Sequence, residues 1–226
     1  MNVFKVPIKN VLFMYSYIWD KVDNHDYINL SSNDDFDSSN IYAELFLINI
    51  RKILKHGLYK TYINNNDSLN IIKGKLDLLS TVNKLSLMNG KIWCNYDDLV
   101  EDNIYNQIIK STALCLYKSS DLTNKNKKQL NKIILYFSQV SFIELKKNDF
   151  KGLKFNRANN YYFIMIKICE LIFNAQMINK STGKYTFFDL FSSDENMNNI
   201  FELFICKFYQ YELSKNYKVK CQSVLN

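Results

Sequence analysis

Three residues have the order and spacing of a metal-dependent nuclease site: Asp121, Glu144 and Lys146. An aspartate upstream of Glu-x-Lys is a set that holds a divalent cation and positions a water, and Ser141-Phe142-Ile143 gives Glu144-Leu145-Lys146 a strand-like context. The same residues have an ordinary explanation, because Glu-x-Lys is common in a lysine-rich chain and Asp121 sits in a loop beside a helix start. A second group, Asp97, Asp98, Glu101 and Asp102, places four carboxylates close in sequence. It could gather a metal, but acidic residues at a helix start also favour the positive end of the dipole, and capping explains them without a ligand. His25 and His56 are far apart and have no partner for a zinc site or a triad, while Cys94 and Cys115 read as core residues.

The acidic group lies between a strand and a helix. Lys91 to Tyr96 alternates as a strand does, and Ile104, Ile108, Ala113, Leu114 and Leu116 give the following segment a helical face. Upstream, the spacing predicts a helix from Ile8 to about Val22, a polar acidic loop from Asp23 to Asn40, and a buried helix from Ile41 to His56 stopped by Gly57. From Leu58 to Tyr96 the period shifts to two. A strand at Leu58–Ile63, an Asn-rich turn, a second strand at Leu69–Leu78 and punctuation at Asn89-Gly90 describe a small antiparallel sheet or partial barrel.

Downstream come a Lys-rich helix with Leu130, Ile133, Ile134 and Phe137 inward, an extended piece at Val140–Lys146, and a long helix from about Asn159 to Met177. A turn-and-strand connector at Lys184–Phe191 leads to a last helix from Asp194 through Leu213, and Tyr217–Leu225 alternates like a strand. The expected fold class is α+β, mostly helical, with the small sheet forming a projection.

Composition narrows the function classes. The chain has 226 residues, 47% of them hydrophobic, which is ample for a core. No phosphate-cradling glycine loop occurs, and five glycines leave little room for one. Five widely spaced cysteines without a Cys-x-x-Cys pair read as reduced thiols of a cytoplasmic protein. No apolar run reaches membrane-spanning length, so no membrane partner is expected. A net charge of +7 permits contact with a polyanion. The lysines of Lys118–Arg157 interleave with aromatics as on a nucleic-acid surface, or equally as on a solvated amphipathic helix. Arg157, one of two arginines, has a fork of donors suited to a partner's phosphates.

A set of motifs in order carries a resemblance. Val6–Trp19 (VPIKNVLFMYSYIW), Ile72–Asp77 (IKGKLD), Glu101–Thr112 (EDNIYNQIIKST), Asn160-Tyr161-Tyr162, and Phe187–Phe191 (FFDLF) followed by Met197–Phe204 (MNNIFELF) together resemble the McrC family, the 5-methylcytosine-specific restriction enzyme subunit. The resemblance implies a partner-binding region over 1–216, with a sheet-rich projection at 58–96 on a helical base at 100–215. Residues 217–226 then begin a strand of a PD-(D/E)xK nuclease domain whose metal site lies beyond Leu225. It implies docking on an McrB-type AAA+ GTPase and stimulation of GTP hydrolysis, with DNA reached through the complex. Lys73, Lys75, Lys84 and Lys91 on the projection, together with Arg157, become candidate partner contacts. On this reading the chain itself binds no cofactor: GTP belongs to the partner and Mg2+ to the nuclease domain. The four acidic residues after Tyr96 then end the projection's last strand and cap its anchoring helix.

Overall fold

In a computed structural model of the chain, the described residues are 8–18, 38–84, 86–120, 122–178, 185–187, 194–213 and 217–220. Four helices make the core: α2 (Ser38–His56), α4 (Ile104–Tyr117), α5 (Asn124–Tyr136) and α6 (Phe163–Ala175). Each turns one apolar stripe inward, and Phe46, Ile50, Ile108, Leu116, Leu130 and Ile172 meet with no solvent exposure. Buried polar groups at the edge of this core are paired. Asn40 Oδ1 accepts from Thr123 N and Asn126 Nδ2, and Ser119 Oγ donates to Ser39 Oγ, so the start of α2 is fastened to the α4–α5 turn.

Two further helices, α1 (Ile8–Ile18) and α7 (Asp194–Glu212), pack on each other through aromatic rings. Tyr17 lies 5.5 Å from Phe204 and 5.3 Å from Phe208, ring centre to ring centre. Between α6 and α7, β4 (Gln176–Ile178) and β5 (Tyr185–Phe187) form a short antiparallel ladder. Cys94, Cys115 and Cys169 are buried thiols outside any disulfide, and burial pushes the Cys169 thiol up to about 12.

The second sheet is the projection, formed by β1 (Thr61–Leu69), β2 (Lys75–Leu76) and β3 (Ile92–Val100), with a short α3 (Leu78–Asn83) between β2 and β3. Its strand order is β1-β3-β2, and all pairs are antiparallel. Thr61↔Val100 through Leu69↔Ile92 pair without a bulge. Of the residues in these three strands only Cys94 is buried. That explains why an Asn-rich turn at Asn64–Asn66 was the wrong expectation. A sheet wet on both faces selects no apolar alternation, so asparagines remain in the strand, and Asn64 Nδ2 donates across the ladder to Asn95 Oδ1 at 2.6 Å.

Several other boundaries move. Of the second strand expected at Leu69–Leu78, Leu69 belongs to β1, residues 70–74 bend, and only Lys75–Leu76 pair with β3 before Asp77 caps α3. The helix expected to reach Met177 ends at Ala175, and its last residues enter β4. Val140–Lys146, expected as an extended piece, has no regular structure and pairs with no strand among the described residues. Lys110 Nζ donates to Val140 O, and Ile143 N donates to Ser111 Oγ, holding the segment along α4. Residues 217–220 form no ladder, and the remainder of the expected terminal strand lies outside the described residues, as does most of the Asp23–Asn40 loop.

Candidate docking projection and its root

The projection is fixed to the helical base by one asparagine and one tyrosine. Asn106, fully buried in the first turn of α4, donates through Nδ2 to Tyr59 O at 2.9 Å and to Glu101 O at 2.7 Å. These carbonyls belong to the chain just before β1 and just after β3, so a single amide clasps both strands. Its Oδ1 accepts from the Tyr162 hydroxyl at 2.6 Å, and that hydroxyl accepts from Tyr59 N at 2.9 Å. Asn103 Nδ2 donates a second bond to Tyr59 O at 2.8 Å, and Asn103 Oδ1 caps α4 by accepting from Asn106 N. Both N–H donors of the Asn106 amide and one lone pair of its oxygen are thereby used. Burial raises the Tyr162 phenol above its ordinary range, which keeps it neutral and able to donate. Tyr59 and Tyr105 meet edge to face 5.7 Å apart beside this root.

The four acidic residues therefore do not act together. Asp97 and Asp98 are inside β3, on opposite faces of the sheet, and Asp98 meets Lys73 at 3.4 Å. Glu101 pairs with Lys60 at 3.2 Å. Asp102 accepts from Ser141 N at 2.9 Å, Ser141 Oγ at 2.6 Å and Gln107 Nε2 at 2.8 Å. Partial burial works against its charge, but the Ser141 and Gln107 hydrogen bonds and the nearby Lys110 prevail, holding the carboxyl below its usual value. The helix cap is Asn103, a correction to the expectation that the carboxylates cap α4. Among the described residues no three His, Cys, Asp or Glu side chains could hold a metal ion.

At its far end the projection carries α3 and a 3-10 turn at Ser86–Asn89. Asp77 caps α3, with Oδ1 accepting from Ser80 N at 3.0 Å and Oδ2 from Ser80 Oγ at 2.7 Å. These bonds lower the Asp77 carboxyl. Thr81, 2% exposed, donates to Asp77 O and accepts from Trp93 N, stitching α3 to β3. Gly74 has φ +70°, and a Cβ there would lie 2.5 Å from Asn95 O, so only glycine lets the chain pass β3. Apolar side chains on this tip face water: Ile71, Ile72, Leu78, Leu79, Val82 and Met88, the last 81% exposed. Singly exposed apolar residues are common, but these six and Leu87 are gathered on one small tip.

The candidate lysines fall differently. Lys73 lies 4.1 Å from the Tyr96 ring centre as well as beside Asp98, and Lys84 sits 3.6 Å over Trp93, so both brace the projection. Lys75 and Lys91 are exposed on it. Arg157 is exposed on the base, in the turn before α6. Glu144 and Lys146 are exposed in the unpaired segment, where Lys146 N donates to Asp149 Oδ2, and Asp121 lies outside the described residues. The helical faces also leave a cleft of about 260 Å³ between α2 and α6, lined by Lys52, His56, Asn160 and Tyr161 among others.

Sequence reasoning reached the projection but missed the root residues. The available signal was a pair of asparagines, Asn103 and Asn106, at the start of an apolar helix, where buried amides need defined partners.

The chain is similar to one in the cryo-EM structure of the Thermococcus gammatolerans McrBC complex, with a TM-score of 0.69 at 20% identity over 94% of this chain and 60% of that one. It is also similar to a chain in the half-complex from a tetradecameric assembly of Thermococcus gammatolerans McrB AAA+ hexamers with bound McrC, with a TM-score of 0.64 at 20% identity, covering 93% of this chain and 49% of that one. The type IV methyl-directed restriction enzyme EcoKMcrBC of Escherichia coli is 24% identical over 209 residues, which are 92% of this chain and 60% of the relative. The chain thus spans about three fifths of the length of the curated relative it matches. Among the described residues no helix is long and apolar enough to cross a membrane. The model of the family described as "McrBC 5-methylcytosine restriction system component" matches residues 8–225, nearly the whole sequence, and the chain belongs to that family.

Proposed function

We propose that this chain is the McrC-type component of a modification-dependent restriction system, docking on an McrB-type AAA+ GTPase and stimulating its GTP hydrolysis. The observation that carries the reading is the apolar tip raised on a sheet whose strands contribute almost nothing to a core. Such a sheet has little use in stabilising its own fold, and an apolar tip in water is unfavourable until a partner covers it. Residues 58–96 then serve as the docking projection and 100–215 as its base. Lys75 and Lys91 are rim contacts on this reading, and the tip supplies the buried centre.

GTP belongs to the partner, no cofactor is assigned to this chain's residues, and the complex works in the cytoplasm on DNA. A divalent cation such as Mg2+ is assigned to the nuclease part of such systems and to no residue described here. A nuclease centred on Glu144 and Lys146 has no supporting observation, because both are exposed on a segment with no strand partner.

The test mixes the purified chain with its cognate GTPase and measures co-elution and hydrolysis. Leu79→Asp with Met88→Asp abolishes both while leaving the helical content intact, because both side chains are solvent-exposed in the free chain. An unchanged hydrolysis rate and no co-elution with the unaltered chain would end the proposal.

A further inference from the structure

All of the chain's net charge is concentrated in one region. Residues 118–157 contain ten lysines and arginines and three acids, an excess of seven that equals the net charge of the whole chain. None of the ten cations takes part in an ion pair among the described residues. On α5 the charges are ordered. Asn126, Leu130 and Ile133 face the core, while Lys125, Lys128 and Lys132, spaced as one helical face, are exposed on the other side. No acid occurs on α5.

A second helix extends that face. Arg51 Nη2 donates to Gln129 Oε1 at 2.8 Å, which places the end of α2 beside the middle of α5. Arg51 and Lys55, one turn apart, are both exposed, and the first acid before them on α2 is Glu44, two turns away. Five cations thus share a surface made by two packed helices. Lys125 to Lys132 spans about 10 Å along α5 at ~1.5 Å per residue. Along one DNA strand, successive phosphates advance by roughly 3.4 Å, so that span covers about three of them.

We propose that this α2–α5 face binds the phosphate backbone of duplex DNA directly, so that the chain holds DNA as well as its protein partner. Lysines on a helix face neutralise phosphates without reading bases, which makes the contact independent of sequence and of cytosine methylation. The site is built on the base and does not involve the tip, so the two contacts can be made at once. Failure of the GTPase reading leaves this inference standing, and the reverse also holds.

The experiment measures binding of the full chain to a fluorescent 30-base-pair duplex from 50 to 200 mM salt, with and without 5-methylcytosine. The expected result is an affinity that falls steeply with salt and is equal for the two duplexes. In the triple variant Lys125→Glu, Lys128→Glu, Lys132→Glu, affinity at low salt falls more than tenfold. For the neutralised variant Lys128→Gln, Lys132→Gln, the log–log salt slope decreases by about 0.9 for each phosphate that is no longer neutralised, or roughly 1.8 in all. The glutamine pair keeps the test valid if the charge reversal disturbs folding. Absence of binding at 50 mM salt overturns the proposal. So does an unaltered slope in the glutamine pair, or equal affinity for polyglutamate, which would mark the face as a site for an acidic protein.

Discussion

The projection and the helical base are held together by different physics. In the base, stability comes from side chains such as Phe46, Ile109 and Leu116 that are wholly removed from water. The strands of the projection bury only Cys94, and their order comes from ladder hydrogen bonds, from Asn64 bonded across to Asn95 and Asp97, and from cations resting on Trp93 and Tyr96. The base therefore tolerates changes in surface polarity and resists changes of volume. In the projection, single polar atoms and the missing Cβ at Gly74 decide whether it forms.

The largest expected effect that sharpens this contrast is in the base. Phe46→Ala removes a fully buried ring and costs about 3–5 kcal/mol, measured as a fall in the urea midpoint of the helical base. A loss below 1 kcal/mol would contradict the division drawn here. Next is Tyr162→Phe, which deletes one oxygen and leaves Asn106 Oδ1 and Tyr59 N without their partner. It costs about 1–3 kcal/mol. Hydrogen exchange then quickens at Tyr59 and across β1 and β3 before it quickens in α6.

Gly74→Ala comes third in global stability, although its local effect is severe. The methyl group meets the backbone of Asn95, so β2 leaves the ladder and α3 loses its seat on β3. Exchange protection disappears at Trp93 N and in α3, while the unfolding free energy of the base changes by no more than about 0.5 kcal/mol, the usual range for changes outside a packed core. A shift of the base as large as that of Phe46→Ala would show the two regions to be one cooperative unit.

The smallest effect is one of pH. Asp102 has a folded-state value below the ordinary one, so the folded chain binds its proton more weakly than the unfolded chain does. The stabilisation is fully present above the unfolded-state value of about 4 and is lost as pH falls through the lower folded value. Asp102→Asn lowers stability at neutral pH and flattens the acid limb of the stability curve. An acid limb identical to that of the unaltered chain would mean that the Ser141 bonds contribute nothing.

The same division explains how much the sequence disclosed. Base helices were legible because burial writes a period of 3.6, as in Leu130, Ile133 and Phe137, and their ends were off by a few residues at most. In the projection, two wet faces erase the period-two signal, and a strand through three consecutive asparagines resembles a turn. α3 was hidden for a related reason: Leu78, Leu79 and Val82 all point to water, so its helical spacing marks no core. The candidate site was legible as a region and not as residues. The stretches that carried the family resemblance hold the decisive positions: Ile72–Asp77 contains Gly74 and the α3 cap, Glu101–Thr112 contains Asn103 and Asn106, and Asn160–Tyr162 ends on the root tyrosine. Chemistry-like spacings such as Glu144-x-Lys146 carried less information than these uncharged residues.

The unbulged nine-residue pairing of β1 with β3 makes the projection a lever whose fulcrum is the Asn106 amide. Eight steps of about 3.4 Å give an arm of roughly 27 Å, so a tilt of about 10° at the root swings the tip by about 5 Å. A partner that grips the tip thus gains mechanical advantage over the few hydrogen bonds at the root, and the aim of the tip is set by the stiffness of three base side chains, Asn103, Asn106 and Tyr162.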